Sequence, residues 1–330
     1  MITTIDNREL IIGDHNAHFP EIQHLIHAYQ GPDGKVRAKG LIPRPADWKT
    51  SKRPMKSVDM PVFDESDWPA MLADQIKKKM RCSDIRNRGN GGKPIPSLDQ
   101  DGVGYCWAHS PTNAHTVLRA KMNLPYIPLS AFCVAATIKN GRDEGGWGAL
   151  ALDFIMDKGQ AGQDVWPQGD RNYRKYDKPE VWSDAAKHKI TTAFYDQSAQ
   201  PYDRNLAFKQ RATLFLCSNP DIGDYNWWSH SVCGLDLVNG TSLIKKVRHQ
   251  NGKLVYRTNL RLFEITMGLH NPVTAGYGVR IWNSWSDSWE DNGTGVLTGS
   301  KAEADGCVAP VSAKPSELIK LHWPGHKLAA

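Results

Sequence analysis

Residues 100–109 read Gln-Asp-Gly-Val-Gly-Tyr-Cys-Trp-Ala-His and place Cys106 six residues after Gln100. The chain from residue 107 to about residue 122 predicts a helix, so Cys106 would lie at a helix N-terminus. Free backbone N–H groups and the helix dipole at such a position favour an anion and lower the pKa of a thiol. The Gln100 amide and the Cys106 backbone N–H would then donate hydrogen bonds to the oxyanion of a tetrahedral intermediate. The stretch therefore predicts a thiol nucleophile.

Two later stretches contain polar side chains that such a nucleophile needs. His230 begins an apolar run that ends near Val238, and Asn283 lies between Trp282 and Ser284. A histidine serves as the acid and base for a thiol when a third group orients its ring. Taken singly, a buried cysteine, a core histidine and a turn asparagine would each be ordinary structural features. Only their combination predicts a catalytic site.

These residues and their order along the chain, with the cysteine first, then the histidine and then the asparagine, resemble those of the papain-like cysteine peptidase family. The resemblance rests on Gln100, Cys106-Trp107-Ala108, His230 and Asn283-Ser284-Trp285. It implies an α+β fold of two lobes, with a helical lobe at about 94–165, a β-barrel-like lobe at about 166–317 and the site between them. It also implies roles for six residues: Cys106 as nucleophile, Gln100 as oxyanion donor, His230 as acid and base, Asn283 as the group that orients it, and Trp107 and Trp285 as supporting side chains.

The resemblance extends to a glycine pair, Gly145-Gly146, which Trp147 follows. In the family, glycines at this position offer their backbone to an extended substrate, and the next residue borders a substrate pocket. Ser229, directly before the histidine, is assigned to substrate binding as well. A glycine-rich turn ahead of a helix at 150–157 is the alternative interpretation, and it stays open.

Further segments surround the two lobes of a papain-like domain expected at residues 41–317. The segment Pro43-Arg-Pro-Ala-Asp-Trp48 resembles the one that opens the mature enzyme in the family, but it lies farther upstream of the cysteine than usual. Residues 1–40 predict an arm with an amphipathic helix at 20–30, whose apolar stripe must be buried on its own domain or on a partner. The other expected segments are a basic insertion at about 50–92, a hairpin at about 240–272 and a tail at 318–330.

The remaining patterns predict secondary structure. A helix is expected from Ser66 or Asp67 to about Arg81, with Pro69 in its first turn. The second half of the chain is expected to be rich in strands, at residues 211–217, 231–238, 254–260, 262–267 and 278–282.

The distribution of charge and of apolar residues argues against nucleic acid and membranes as partners. Residues 35–93 contain 15 Lys and Arg against 7 Asp and Glu, a net charge of +8, whereas the whole chain has +6. Because no aromatic residues alternate with these charges and no nucleic-acid-binding motif is present, we interpret them as a solvated face. No apolar run reaches the ~18 residues of a membrane helix. The first residues also lack the basic start and apolar core of a secretion signal.

The positions of the cysteines predict the redox state of the compartment in which the protein works. Secreted members of the family pair cysteines at positions that here hold Val103, Asp143 and Asp224. The resemblance therefore leaves the five cysteines other than Cys106 as free thiols, which fits a reducing compartment. A cytoplasmic protein is expected, with association with a virion as an open alternative. The chemistry that the resemblance implies needs no metal or organic cofactor, and no cysteine joins the N-terminal histidines in a metal ligand set.

The leading hypothesis is a cysteine peptidase that hydrolyses peptide or isopeptide bonds. Two alternatives stay open: a structural component of a virion or another large assembly with an idle or vestigial site, and a thiol acyltransferase or amidase. The expected partner is a protein or peptide substrate. Residues 1–40 are expected to bind a protein partner or a second copy of the chain.

Overall fold

In a computed structural model of the chain, the structure describes residues 2–5, 8–11, 28–30, 36–45, 54–55, 62–196, 204–239, 276–297 and 299–314. The hairpin expected at about 240–272 and the tail at 318–330 lie outside these residues. So do the strands expected at 254–260 and 262–267.

Seven α-helices lie between residues 68 and 185 in the described part of the chain, and the third begins with Cys106. Every residue of that helix except Lys121 is buried, which makes it the central helix of the fold. Pro111 lies within it, and the neighbouring Thr112 hydroxyl donates to the Ala108 carbonyl at 2.8 Å. The helices are α1 (Trp68–Lys78), α2 (Cys82–Ile85), α3 (Cys106–Lys121), α4 (Ala131–Ile138), α5 (Gly148–Asp157), α6 (Tyr173–Tyr176) and α7 (Pro179–Ala185).

A mixed sheet packs against α3. Its strand order is β10-β9-β8-β7-β11-β6-β5, antiparallel throughout except for the parallel pair β5–β6. Its strands are β5 (Pro54–Met55), β6 (Ile190–Asp196), β7 (Asp221–Tyr225), β8 (His230–Asn239), β9 (Tyr277–Trp282), β10 (Thr294–Leu297) and β11 (Gly306–Ala313), with helix α8 (Arg204–Leu216) between β6 and β7. Two smaller antiparallel pairs lie near the N-terminus: β1 (Ile2–Ile5) with β2 (Arg8–Ile11), and β3 (Ala28–Gln30) with β4 (Val36–Ala38).

The pairing of β8 with β9 determines where two of the predicted site residues lie. Cys233 in β8 is opposite Trp282 at the end of β9. Because the two strands are antiparallel, the start of one lies beside the end of the other. His230, the first residue of β8, and Asn283, the first residue after β9, are therefore at the same edge of the sheet.

Two elements differ from the sequence-based expectation. The helix expected at 20–30 is wrong at its end, because Ala28–Gln30 is a strand paired with Val36–Ala38; its earlier part lies outside the described residues. The strand expected at 211–217 is wrong as well, since residues 211–216 belong to helix α8, which ends at Leu216. Its run Ala-Thr-Leu-Phe-Leu is apolar and short, and such a run does not distinguish a buried strand from a buried helix.

The expected fold class and the expected helix near residue 70 are confirmed. Helices and a largely antiparallel sheet give the predicted α+β class, and α1 has Pro69 in its first turn as expected. All six cysteines are free. Within the described ranges, no helix is long and apolar enough to cross a membrane.

Candidate active site

Cys106 lies at the first position of α3 and is fully buried. Its Sγ accepts a hydrogen bond from the Gly40 backbone N–H, with an N–S distance of 3.4 Å. Burial raises the pKa of the Cys106 thiol to about 12, and backbone N–H groups of Ser231 and Gly40 oppose this only in part. The lowered pKa expected for a cysteine at an open helix N-terminus is therefore not found in this state of the molecule.

His230 is held by an asparagine and covered by tryptophan. Its Nε2 lies 2.7 Å from Asn283 Oδ1, which also accepts the Ser284 backbone N–H at 2.8 Å. Because Oδ1 is an acceptor, Nε2 must be the protonated nitrogen, and Nδ1 of a neutral ring is then a bare acceptor. The Trp285 ring lies 4.6 Å from the imidazole at an angle of 35°, and the Trp228 ring 4.9 Å from it.

The imidazole is neutral in this environment. Burial lowers the pKa of His230 to about 3, the Asn283 hydrogen bond opposes this, and the neighbouring Lys39 charge lowers it further. Its Nδ1 is buried and has no hydrogen-bond partner among the described residues. Consistent with this, no hydrogen bond joins Cys106 to His230 in the described structure.

Two serines show how close the cysteine helix and the histidine strand are. Ser110 lies one turn after Cys106 in α3, and Ser231 directly follows His230 in β8. Their hydroxyl oxygens are 2.6 Å apart, and both side chains are buried. This contact joins α3 to the start of β8, and the sequence contained no signal for it.

Gln100 connects three segments around the cysteine. Its backbone N–H donates to the Ser284 carbonyl at 3.0 Å, and its Oε1 accepts from the Ser284 hydroxyl at 2.7 Å. Its Nε2 donates to the carbonyl oxygens of Val103 and Ala38, at 2.7 and 2.6 Å. The amide expected to bind an oxyanion is thus already engaged with a carbonyl of the N-terminal region.

The predicted substrate-binding residues also contact the N-terminal region. Gly146 forms a parallel bridge with Leu41: its N–H donates to Gly40 O at 2.9 Å, and its carbonyl accepts from Ile42 N at 3.0 Å. The Ser229 carbonyl accepts from Leu41 N at 3.2 Å. We refer to residues 38–42 as the cleft segment.

The remaining predicted residues support this arrangement. A Cβ on Gly146 would lie 2.5 Å from the Trp107 ring, so the glycine allows the indole to pack against the backbone. A Cβ on Gly145 would lie 2.8 Å from Gly40 O. Trp147 precedes α5 as its N-cap residue. The glycine pair therefore provides a flat backbone surface between Trp107 and the cleft segment.

Sequence reasoning missed Lys39 and Gly40. Burial lowers the pKa of Lys39 to about 8, although part of its surface stays exposed, and its charge interacts with Cys106. Gly40 is buried and touches the thiol through its N–H. Their position just before Pro43 was the available signal, but no residue pattern distinguished them from the rest of the arm. Among the described residues, no group of three or more His, Cys, Asp and Glu side chains is placed to hold a metal ion.

Solved structures of cysteine proteases are similar to this chain. They include procathepsin L2 from Tenebrio molitor larval midgut (16% identity, TM-score 0.49, 83% of this chain and 78% of that one). Xylellain from Xylella fastidiosa is another (14% identity, TM-score 0.45, 82% and 95%), as is procathepsin B S9 from Trypanosoma congolense (14%, 0.45, 84% and 87%). No protein-family model and no curated protein sequence matches the chain. At this level of identity the likeness is one of fold.

Proposed function

We propose that the chain is a cysteine peptidase that cleaves peptide or isopeptide bonds. The observation that carries this proposal is the 2.7 Å hydrogen bond between His230 Nε2 and Asn283 Oδ1, which leaves Nδ1 as a bare acceptor beside the helix that begins with Cys106. An imidazole fixed in this tautomer is suited to take the proton of a nearby thiol. The free state of all six cysteines supports a reducing compartment such as the cytoplasm.

The chemistry would proceed by acyl transfer. The Cys106 thiol gives its proton to His230 Nδ1, and the thiolate attacks the substrate carbonyl. Gln100 Nε2 and the Cys106 backbone N–H donate to the oxyanion that forms. The imidazolium then protonates the leaving amine, and water hydrolyses the resulting thioester with His230 as the base. Asn283 keeps the ring in the required tautomer throughout.

The test compares two cysteine variants in hydrolysis of a quenched fluorescent peptide library. Cys106→Ala should abolish cleavage, whereas Cys217→Ala should leave it unchanged, because Cys217, the one partly exposed thiol among the six, is not part of the proposed site. Since the cleft segment fills the site, each variant is measured alone and combined with Gly40→Ala. Cleavage that survives in Cys106→Ala would contradict the assignment of the nucleophile.

One set of observations favours a second candidate, a structural component of a virion or another assembly with an idle site. The thiol and the imidazole are both neutral, no hydrogen bond joins them in the described structure, and the cleft is filled. Labelling with a thiol-directed peptidyl epoxide separates the two candidates. An idle scaffold would not react at Cys106 even in the Gly40→Ala background, and analysis of products with an added amine would reveal an acyltransferase.

A further inference from the structure

Two arginines line a pocket at the far end of the helix that begins with Cys106. Arg119 lies in the last turn of α3 and is 4% exposed. Arg86 is the C-cap residue of α2 and is half-buried. The pocket is narrow, with an empty volume of about 190 Å³ that is partly open to solvent. Nine residues line it, and the two arginines are the only charged ones among these nine, so the pocket is positively charged.

Neither guanidinium is fully paired in the described structure. Arg119 Nη2 donates to the Pro125 carbonyl at 3.1 Å, but its Nε is buried without a hydrogen-bond partner there. Nη1 of Arg86 is likewise buried without a partner in the described structure, and its Cζ lies 4.7 Å from the centre of the Trp282 ring. Burial lowers the pKa of both groups. No described carboxylate opposes this at Arg119, and Asp287 opposes it only in part at Arg86.

The other buried arginine among the described residues is fully paired. Arg211 is 1% exposed and forms an ion pair with Asp221. Its Nη1 and Nη2 also donate to the Ala302 carbonyl at 2.8 Å and the Tyr225 hydroxyl at 3.1 Å. A buried charge that lacks such partners destabilises a fold strongly, and buried polar groups without a protein partner are commonly satisfied by an ion or a water molecule. The two pocket arginines therefore indicate a missing anion.

The narrowness of the pocket limits the size of that anion. In this structure the walls lie too close together for a water-sized sphere, so an ion enters only with a small movement of a side chain. The half-buried Arg86 side chain can move outward, whereas Arg119 is held by its bond to Pro125. A monatomic anion requires the smallest displacement, and a phosphate with four oxygens requires a much larger one. Guanidinium N–H groups donate readily to such an anion.

We propose that Arg86 and Arg119 form a binding site for a chloride ion. The ion accepts hydrogen bonds from Arg119 Nε and Arg86 Nη1 and balances the charge of the two groups. It also connects two parts of the fold, because α3 begins with Cys106 and the Trp282 ring under Arg86 immediately precedes Asn283. Chloride would therefore stabilise the junction between the cysteine helix and the strand end that carries the asparagine. The proposal does not depend on peptidase activity.

The test measures thermal unfolding at pH 7.5 and constant ionic strength, with sodium gluconate replaced stepwise by sodium chloride. The melting temperature should rise by about 2–4 °C once chloride exceeds its dissociation constant tenfold, and then level off. Arg119→Met keeps the apolar stem but not the charge, so its melting temperature should not depend on chloride. Without chloride this variant should melt at or above the temperature of the unaltered chain, because an unpaired buried charge has been removed. Arg81→Met is the matched control, since Arg81 pairs with Asp84 and does not line the pocket.

Each outcome decides the proposal. A saturable rise in the unaltered chain and in Arg81→Met that is lost in Arg119→Met supports it. An equal rise in all three proteins would be a general salt effect and would overturn it, as would the absence of any rise in the unaltered chain. If Arg119→Met does not fold, crystals of the unaltered chain soaked in sodium bromide give the decision. An anomalous peak within hydrogen-bonding reach of Arg119 Nε and Arg86 Nη1 supports the site, and the lack of a peak there overturns it.

Discussion

Acidification should destabilise this protein strongly, because the fully buried histidines His109, His115 and His230 stay neutral in the folded chain. Burial lowers the pKa of His109 to about 4 and those of His115 and His230 to about 3, from an ordinary value of 6.5. Below pH 6.5 the unfolded chain binds a proton at each histidine, whereas the folded chain does not until the lower pKa is reached. The stability that these groups contribute is therefore complete above pH 6.5 and is lost as the pH falls.

The expected loss is large relative to the stability of a typical domain. At pH 5 each histidine lies about 1.5 pH units below its unfolded pKa, which costs about 2 kcal/mol per group and about 6 kcal/mol together. Asp224 acts in the opposite direction, since burial raises its pKa from 3.8 to about 6. Its protonation in the folded state recovers about 1.4 kcal/mol at pH 5. The net loss of about 4–5 kcal/mol compares with ~5–15 kcal/mol of total stability.

The assay is urea unfolding at pH 7.5 and at pH 5.0. His230→Gln keeps an amide that can donate to Asn283 but cannot titrate, so the loss of stability between the two pH values should be about 2 kcal/mol smaller than in the unaltered chain. His115→Gln is the matched control, because His115 is equally buried but lies beside Gln160 rather than in the candidate site. Both variants should give the same reduction. If neither variant reduces the pH dependence, the histidines are already accessible to protons in the folded chain and the reasoning is wrong.

Two further predictions concern individual side chains. Asn283→Ala should lower kcat for peptide hydrolysis by about 10²-fold with little change in KM, because it removes the acceptor that fixes the His230 tautomer. Steady-state kinetics in the Gly40→Ala background test this prediction. A change in KM alone would contradict it. Asp221→Asn should lower the free energy of unfolding by about 3–5 kcal/mol, because its partner Arg211 is 1% exposed and would become an unpaired buried charge. Asp74→Asn, in an ion pair whose side chains are 54–63% exposed, should cost about 0.5 kcal/mol or less in the same urea titration.

The parts of the fold that could be predicted from sequence have local signals. Cys106 and its helix follow from a glycine-rich approach and a helical pattern, and α3 begins at that cysteine. The proximity of His230 to Asn283 could be expected only through the family resemblance, because 53 residues separate them along the chain. The structure brings them together by pairing β8 with β9, and no periodicity in the sequence specifies that pairing.

The parts that could not be predicted depend on contacts between distant segments. Gly40 looks like any loop glycine until the position of the Gly104 carbonyl is known. The pKa of Cys106 was expected to be low because a helix N-terminus was considered alone, without the segment that covers it. The helix α8 was mistaken for a strand because its apolar end is short, and the preceding residues that complete the helix carry no strong signal of their own.

The opposed pKa shifts of Cys106 and His230 have one physical cause, which is exclusion of water. Burial in a low-dielectric environment disfavours whichever form is charged, so it raises the pKa of a thiol and lowers that of an imidazole. Lys39 increases the second effect, because an ammonium beside His230 opposes an imidazolium. Exposure of the site to water would by itself move each pKa in the direction that favours transfer of the thiol proton to the imidazole.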